Sequence, residues 1–404
     1  MTDRVKVVVV GGGIVGCSVL YWLAKLGWNE LLLLEKNELT SGSTWHAAGN
    51  VTFFGHDARI TRLYVDSAKT YLEAEREADY PVGCHETGSL RLALNDADIR
   101  AYRRLQPMYQ ELAIPYHILD VAEIQNHHPL LNPSGIVGAA LTPTDGHVDP
   151  TAATHAMAQC ARKRGAQISC RSEVNYLAQE GNRWRIVLDS GDILADHVVM
   201  AASFWSRELL QPLDIQLPLY PLEHHEVITE SVPAITRLDF RLPVVRDPWS
   251  QSNTRQEGKG FLCGVYEPKP VFWGLEGIPE HFNQELLVPD LDRLEHNLAL
   301  VIERFPDFAN AGIRAINNGP ICYTPDACPL LGPVNSHPGL WLASGFAIGI
   351  GTGGGSGEFL ARWMDGGSPP FELPMVYPDR FDGWSREATL DAIQRTYAAG
   401  YVRP

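Results

Sequence analysis

His46 and the small side chains around it, at residues 41–50, are the residues near the start of the chain best suited to chemistry. This segment follows two hydrophobic runs. The first run, residues 7–10, ends at a glycine loop over residues 11–16, and the second ends at Glu35. A backbone approaches a ring or a phosphate closely only where side chains are small. We therefore expect an extended dinucleotide to lie over these segments, within reach of the His46 imidazole.

The glycine loop has the spacing that binds a dinucleotide pyrophosphate. Its first glycine permits a tight turn, the second lets the backbone approach the pyrophosphate, and the third lets helix and strand pack closely. The following helix offers N–H groups and partial positive charge to the phosphates, while an acid after the next strand binds the ribose. The loop alone does not distinguish FAD from NAD. The predicted contacts here are Gly11, Gly13, Ile14, Val15, Gly16, Glu35 and Lys36.

The pattern around the loop predicts the elements that position it. Residues 5–10 are continuous, β-branched and bounded by glycine, which is typical of a buried parallel strand. Apolar side chains at helical spacing predict a helix over residues 14–26, and residues 31–35 form the next strand. A βαβ unit of this kind predicts a Rossmann-like, doubly wound parallel sheet.

Beyond residue 220 the pattern changes to short strands between Pro-rich turns, which predicts an antiparallel sheet with helices on one side. The predicted fold class is therefore α/β with α+β character: a Rossmann-like nucleotide-binding domain with an inserted antiparallel-sheet substrate domain. The nucleotide-binding domain takes residues 1–85, 145–218 and 320–370, the substrate domain takes residues 86–144 and 219–319, and a C-terminal tail takes residues 371–404.

A second glycine cluster, residues 345–357, follows a predicted strand and precedes a helix predicted over residues 358–364. Backbone N–H groups at that helix start would stabilise negative charge on a reduced ring. A flexible glycine linker is the alternative, which the flanking strand and helix disfavour. The predicted ring contacts are Gly349, Ile350 and Gly351, and Gly345 is a further predicted cofactor contact. The predicted contacts to the rest of the nucleotide are Val174, Ala202 and Trp205.

The composition argues against several classes of partner. The net charge of −15 and the pI near 5.4 disfavour nucleic acid or an anionic membrane. Seven cysteines occur without a Cys-x-x-Cys pair, and the histidines lack metal-ligand spacing, so we predict neither a disulfide framework nor a metal site. No run approaches the roughly 18 apolar residues of a membrane span, and no signal peptide is indicated. We expect an acidic, cytoplasmic protein.

The run Ser41-Gly42-Ser43-Thr44-Trp45-His46-Ala47-Ala48-Gly49, with similar motifs at residues 54–56, 86–90, 145–150, 318–320 and 324–326, carries a family resemblance. Over nearly its whole length the chain resembles the flavin-dependent dimethylglycine and sarcosine dehydrogenases, within the D-amino-acid-oxidase-like superfamily. The resemblance implies FAD, attached covalently to His46, which would retain the flavin and raise its reduction potential. Larger members add a C-terminal folate-binding domain, which we expect this chain to lack. The further predicted FAD contacts are Ser43, Thr44, Ala48, Gly49 and Asn50.

The resemblance also implies a substrate-binding histidine after a Pro-x-x sequence, and His224 matches it. A neutral imidazole there would accept the proton of a substrate ammonium, although a purely structural histidine is an equal alternative. Two positions depart from the family pattern: Glu226 replaces an aromatic residue, and Asn253 replaces a tyrosine. Arg255 is the candidate for binding a substrate carboxylate. Tyr323 is the candidate to replace the missing tyrosine.

These assignments predict a flavoenzyme that oxidises a small secondary or tertiary amine, such as an N-methylated amino acid. Hydride would pass to flavin N5, and the resulting iminium would be hydrolysed. The electron acceptor would be an electron-transfer flavoprotein, a quinone or oxygen. The alternatives are an NAD(P)-dependent dehydrogenase, a non-catalytic or partner-dependent FAD-binding subunit of a larger assembly, and an oxygen-using oxidase of a related cyclic amino acid.

Overall fold

The computed structural model describes residues 3–53, 55 and 57–400, so Phe54 and His56 of the motif at residues 54–56 lie outside the described residues. The strands are β1 (Asp3–Val10), β2 (Leu31–Leu34), β3 (Asn50–Val51), β4 (His85–Glu86), β5 (Ser89–Ala93), β6 (His117–Leu119), β7 (Gly138–Thr142), β8 (Gly146–His147), β9 (Gln167–Ser169), β10 (Tyr176–Glu180), β11 (Arg183–Leu188), β12 (Gly191–Met200), β13 (Tyr220–Thr229), β14 (Val244–Asp247), β15 (Ser252–Glu257), β16 (Gly260–Val265), β17 (Ile313–Tyr323), β18 (Leu330–Pro333) and β19 (Leu340–Ser344). The helices are α1 (Ile14–Lys25), α2 (Ala58–Ala78), α3 (Asp96–Glu111), α4 (Val121–His127), α5 (Pro150–Lys163), α6 (Trp205–Leu210), α7 (Pro233–Thr236), α8 (Glu295–Arg304), α9 (Gly349–Gly366) and α10 (Arg386–Ala399).

The first sheet contains the predicted βαβ unit. Its strand order is β10-β11-β12-β1-β2-β9, with β19 also paired to β12 and β18 paired to β19. β1 runs parallel to both β2 and β12. Its valines alternate between two cores: Val7 and Val9 pack with α1, α2, α5 and α9, whereas Val8 and Val10 pack on the opposite face. The predicted mixed α/β fold class is confirmed.

The second sheet has the order β17-β13-β16-β15-β14-β5-β7-β6 and is antiparallel except for the pair β5 and β14. One face packs with α4 and α8 in a hydrophobic core that includes Val227 and Phe261. Strands from both predicted segments of the substrate domain share this sheet. β17 continues past the boundary predicted at residue 320, and the division of the chain into domains stays a prediction.

The helix predicted over residues 358–364 corresponds to α9, which spans Gly349–Gly366 and so begins nine residues before the predicted start. The prediction of a long glycine turn before that helix was wrong. A Cβ on Gly355 would overlap the Leu63 carbonyl of α2, and one on Gly357 would overlap Ser18 of α1. These glycines therefore allow three helices to approach one another, which offsets their poor helix propensity.

The predicted C-terminal tail contains α10. The helix begins after Ser385, whose side chain accepts a hydrogen bond from the Ala388 N–H. Ile393 and Tyr397 are fully buried in a cluster with aromatic residues of β13 and β17. The C-terminal segment is therefore packed against the second sheet. Among the helices of the described residues, none is long and apolar enough to cross a membrane.

Candidate cofactor and substrate site

A cavity of about 650 Å³ is lined by residues from both large sheets. Its size is within the range of cofactor and ligand clefts. It brings together most of the predicted cofactor contacts: Gly11, Gly13, Ile14, Val15, Glu35, Lys36, Ser43, Thr44, His46, Val174, Ala202, Trp205, Gly349 and Ile350. Of the three predicted catalytic residues, His224 lines the cavity, whereas Arg255 and Tyr323 do not.

Glu35 lies directly after β2 at the nucleotide end of the cavity. Its carboxylate oxygens accept hydrogen bonds from the Gly12 N–H at 2.7 Å and the Asn37 N–H at 2.9 Å. Burial raises the pKa of Glu35, and these two hydrogen bonds act against that rise. The Ser41 side chain supplies a third hydrogen bond, and a carboxylate, with about four acceptor positions, keeps capacity for a ribose hydroxyl. The carboxylate is therefore held where the predicted dinucleotide needs an acceptor.

The glycine loop joins β1 to α1. Gly11 has a φ of +112°, a conformation that glycine adopts readily. A Cβ on Gly16 would overlap the Gly11 carbonyl, so Gly16 serves the close packing of α1 and does not line the cavity. The Ile14 N–H donates to Thr44 Oγ1 at 3.1 Å, which ties the loop to the segment that contains His46.

His46 occupies space that β17 leaves open. A Cβ on Gly319 would overlap Cε1 and Nδ1 of the imidazole, so any larger residue there would displace the ring. The ring packs edge-on against Trp45, with 5.5 Å between centroids. His46 is 8% exposed, and burial lowers its pKa to about 4. The imidazole is therefore neutral at pH 7 and retains a nucleophilic nitrogen.

The three predicted contacts that follow His46 lie outside the cavity lining. The Ala48 carbonyl accepts a hydrogen bond from Arg255 Nε at 3.0 Å, and the Gly49 carbonyl accepts one from the backbone N–H of Val148, shortly before α5. Asn50 Nδ2 donates to Asn253 Oδ1 at 3.1 Å. Ala48, Gly49 and Asn50 therefore attach the His46 segment to its surroundings, in particular to β15.

Gly345 and Gly351, both predicted to contact the cofactor, also lie outside the cavity lining. A Cβ on Gly345 would lie 2.7 Å from Thr324 Cγ2, and one on Gly351 would lie 3.1 Å from the Tyr64 ring. These two glycines permit close packing at the start of α9. Their neighbours Gly349 and Ile350 supply the part of the helix terminus that lines the cavity.

Arg255 and Tyr323 are buried away from the cavity lining. Arg255 Nη1 donates to Glu257 Oε2 at 2.6 Å, in addition to the bond from Nε to Ala48. Its guanidinium therefore joins β15 to the His46 segment. Tyr323 is 1% exposed, and its ring packs against Tyr397 at 5.5 Å. Neither position supports the direct contact with substrate that the sequence predicted.

His224 projects from β13 into the cavity. Its Nδ1 lies 2.9 Å from the hydroxyl of Tyr397 on α10. Burial, with smaller effects from His225 and His46, lowers the pKa of His224 to about 3. The ring is therefore neutral, and Nε2 is the nitrogen available to a ligand. Sequence reasoning did not identify Tyr397, although apolar residues at helical spacing in 386–399 were a signal for the helix that places it.

Glu226, which the sequence marked only as a departure from the family pattern, also lines the cavity. The residue is 7% exposed, and its Oε2 has no hydrogen-bond partner. Burial raises its pKa to about 7, while Arg255 and the Ala48 N–H act in the opposite direction. A buried acceptor without a partner costs free energy that a ligand with a donor group would recover. Glu226 therefore belongs to the site.

The family model described as DAO, FAD dependent oxidoreductase, matches residues 6–363. The chain therefore belongs to this family of FAD-dependent oxidoreductases. It is 37% identical over 399 residues to mitochondrial dimethylglycine dehydrogenase of Mus musculus, covering 97% of this chain and 46% of the relative. It is 32% identical over 406 residues to 4-methylaminobutanoate oxidase (formaldehyde-forming) of Paenarthrobacter nicotinovorans, covering 98% and 49%. The chain spans about half the length of these relatives.

A solved structure supports the same fold. The crystal structure of L-proline dehydrogenase from P. horikoshii aligns with a TM-score of 0.83 at 24% identity, covering 95% of this chain and 99% of that one. At this identity the likeness concerns the fold. Together with the family match, the comparisons confirm the predicted resemblance to the dimethylglycine dehydrogenase group.

Proposed function

We propose that the chain oxidises a small secondary or tertiary amine, such as an N-methylated amino acid, with FAD as the hydride acceptor. The observation that carries this proposal is a single cavity that joins the glycine loop and Glu35 to His46, His224 and Glu226. The names of the two relatives support the substrate class, since they describe the dehydrogenation of dimethylglycine and the formaldehyde-forming oxidation of 4-methylaminobutanoate.

The residues of the cavity fit FAD. The glycine loop and the start of α1 offer N–H groups to a pyrophosphate, and Glu35 offers acceptors to a ribose. The start of α9 at Gly349 adds partial positive charge beside the cavity. Bound FAD would supply the acceptor for a hydride from the C–H bond next to nitrogen. The protein holds the amine and limits the access of water.

We further propose that His46 binds the FAD covalently. The support is its neutral, buried imidazole, which lines the cavity in the place that Gly319 leaves open. A covalent bond would retain the cofactor. It would also raise the reduction potential, because an alkylated imidazole withdraws electron density, which suits the oxidation of an amine.

On the substrate side, His224 is proposed to orient the amine or its carboxylate through Nε2. Tyr397 engages Nδ1 and so restricts the rotation of the ring. Loss of hydride from an N-methyl group leaves an iminium, which adds water and separates into the demethylated amine and formaldehyde. Electrons would then leave to an electron-transfer flavoprotein, a quinone or oxygen.

The decisive experiment is anaerobic mixing of the flavin-loaded protein with sarcosine, dimethylglycine and 4-methylaminobutanoate. We expect bleaching of the flavin absorbance by at least one of them, with one formaldehyde released for each flavin reduced. (Methylthio)acetate, which has sulfur in place of the nitrogen, is the matched control and should cause no bleaching. Failure of every amine to bleach the flavin would overturn the proposal. Bleaching by proline alone, without formaldehyde, would indicate a cyclic amino acid oxidase instead.

A further inference from the structure

We propose that Glu226 binds the ammonium form of the substrate amine and removes its proton. The inference rests on the proposed function, because it assigns one step of amine oxidation to this residue. A protonated amine cannot assist hydride loss, since its lone pair is occupied. In the proposed step the N–H bond breaks, its electron pair stays on nitrogen as the lone pair, and the proton forms an O–H bond with the Glu226 carboxylate.

The strand geometry brings Glu226 and His224 to the same part of the cavity. Residues two apart in a strand project to the same face, and both residues line the cavity. Glu226 pairs with Gly264 on the neighbouring strand β16. A Cβ on Gly264 would lie 2.8 Å from Asn253 Nδ2 and 3.3 Å from His224 Nε2, so the Asn253 amide shares this part of the site. The available nitrogen of His224 therefore lies beside the residue directly opposite Glu226, and we infer that one small ligand contacts both side chains.

The hydrogen-bonding capacity of the Glu226 carboxyl is only partly used. The Ala48 N–H donates a hydrogen bond to it, whereas Oε2 is buried without a partner. Glycine at position 264 adds no side chain that would occupy this oxygen. A cationic N–H donor entering the cavity would supply the missing partner through a charge-assisted hydrogen bond, which is stronger than a neutral one.

The surrounding charges determine when Glu226 can accept a proton. Burial raises its pKa to about 7, the nearby Arg255 lowers it, and Glu257 raises it. The Arg255–Glu257 ion pair leaves little net charge beside the carboxyl. Burial raises the pKa of a thiol in β16 and of a phenol just after it, and lowers the pKa of the imidazoles, so these neighbours are uncharged at pH 7. They are Cys263, Tyr266, His224 and His46.

Glu226 is a better proton acceptor here than His224. The pKa of His224 is about 3, and its Nδ1 is already engaged by Tyr397. Burial also lowers the pKa of an ammonium while it raises that of a carboxyl. Transfer of the proton from ammonium to carboxylate produces two neutral groups, so it is easier in the cavity than in water. His224 is left to position the substrate.

The test compares Glu226→Gln with the flavin-loaded wild type by anaerobic rapid mixing across pH. The variant keeps the shape of the side chain, but it would depend on amine that is already neutral in solution. Two pH units below an amine pKa of about 10, only about 1% is neutral, so we expect a roughly 100-fold slower flavin reduction at pH 8 that recovers towards pH 10. The wild-type rate should fall below pH 7. Glu230→Gln, the same change at an exposed residue after β13, should keep the wild-type profile.

A wild-type rate and pH profile in Glu226→Gln would overturn the proposal. A binding measurement with tert-butylammonium, a cation that has N–H donors but no hydrogen on the carbon next to nitrogen and so cannot lose a hydride there, separates this outcome from failure of the proposed function. We expect the wild type to bind it more tightly as pH rises through 7, and Glu226→Gln to bind it about tenfold more weakly without that dependence. Equal binding by both proteins would overturn the role of Glu226 even if no amine were oxidised.

Discussion

The position of the His46 imidazole depends on the absence of a side chain at Gly319. The ring lies where a Cβ of residue 319 would be, and Trp45 packs against its edge. A ring confined in this way has few orientations, and confinement of a nucleophile favours reaction at one atom of a bound partner. Covalent attachment should therefore respond to changes at either His46 or Gly319.

Replacement of His46 by alanine should abolish the covalent attachment of flavin. The wild type should give a fluorescent band after denaturing gel electrophoresis, and His46→Ala should give none, because the proposed link has lost its nitrogen. His127→Ala, a change at an exposed histidine, should retain the band. A wild-type band without fluorescence would refute the covalent link while leaving noncovalent FAD in place.

Gly319→Ala should reduce covalent incorporation several-fold by displacing the His46 ring. The measurement is the ratio of flavin that survives acid precipitation to total bound flavin. Gly312→Ala, just before β17, is the matched control, since its Cβ would lie 3.3 Å from Glu230 Cγ and requires only a small adjustment. Equal ratios in the two variants would show that the ring has other space available.

Single residues were predictable where their role depends on local spacing. Glu35 and His46 follow a strand and a loop at short range, so the sequence located them. The structural partners of Arg255, Glu257 and Ala48, could not be predicted, because they are apparent only when the strand register and the approach of a distant segment are known. The exposure of Glu226 to the cavity depends on the same information.

At the scale of elements, α10 supplies the group that restrains His224. Tyr397 is fully buried, and its hydroxyl lies 2.9 Å from His224 Nδ1. The helix belongs to a segment without any functional motif, and its contact with β13 joins residues 173 positions apart in the sequence. Sequence patterns describe such a helix but do not indicate which strand it packs against, because that depends on tertiary packing.

Tyr397→Phe should weaken the substrate site more than the fold. Leaving the buried His224 nitrogen without its partner should cost about 1–3 kcal/mol, measured by denaturant unfolding. The freed ring should also raise KM and change the pH profile of flavin reduction, which a purely structural role would leave unchanged. Tyr377→Phe removes a hydroxyl that bonds to Glu372 at the surface and should alter neither property.

Gly355→Ala in α9 should destabilise the protein, because the added methyl group would meet the Leu63 carbonyl of α2. Overpacking of this kind costs typically about 1–3 kcal/mol. Gly366→Ala, in the same helix, has nothing within 4 Å of the added Cβ and should instead gain up to about 1 kcal/mol. Thermal unfolding of the two variants checks the opposite signs, and equal shifts would contradict the packing argument.

The contrast within α9 explains why its start was mispredicted. A glycine run usually indicates a turn, and nothing in the sequence shows that α1 and α2 approach it from two sides. The strand β1 and the helix α1, by comparison, were predicted within two residues at each end. Their continuous apolar and helical patterns need no knowledge of neighbouring elements.

At the scale of the whole molecule, buried neutral histidines link stability to pH. His128 is 2% exposed, has no partner at Nδ1, and burial lowers its pKa to about 4. In the unfolded chain the imidazole binds a proton below about pH 6.5, whereas in the folded chain it stays neutral until about pH 4. The unfolded state therefore binds more protons between these values, and stability falls as pH decreases through that window.

His128→Gln should remove this contribution. Relative to the variant, the wild type should lose stability on the order of 3 kcal/mol between pH 6.5 and pH 4, as measured by urea unfolding of the flavin-loaded proteins. His127→Gln changes the adjacent, exposed histidine and should leave the pH dependence of the wild type intact. A difference between wild type and His128→Gln that is constant with pH would contradict the assignment.

β13 separates chemistry from folding along a single strand. His224 and Glu226 line the cavity, whereas Val227 belongs to the hydrophobic core on the other face and His225 accepts a hydrogen bond from the Asp290 N–H. Substitutions at His224 and Glu226 should change which ligand the cavity accepts while the core around Val227 stays intact. Insertion of a single residue in β13 would move every following side chain to the opposite face of the sheet. The ligand preference of the cavity can therefore change through point mutations in this strand, whereas an insertion or deletion there would disrupt the cavity and the core together.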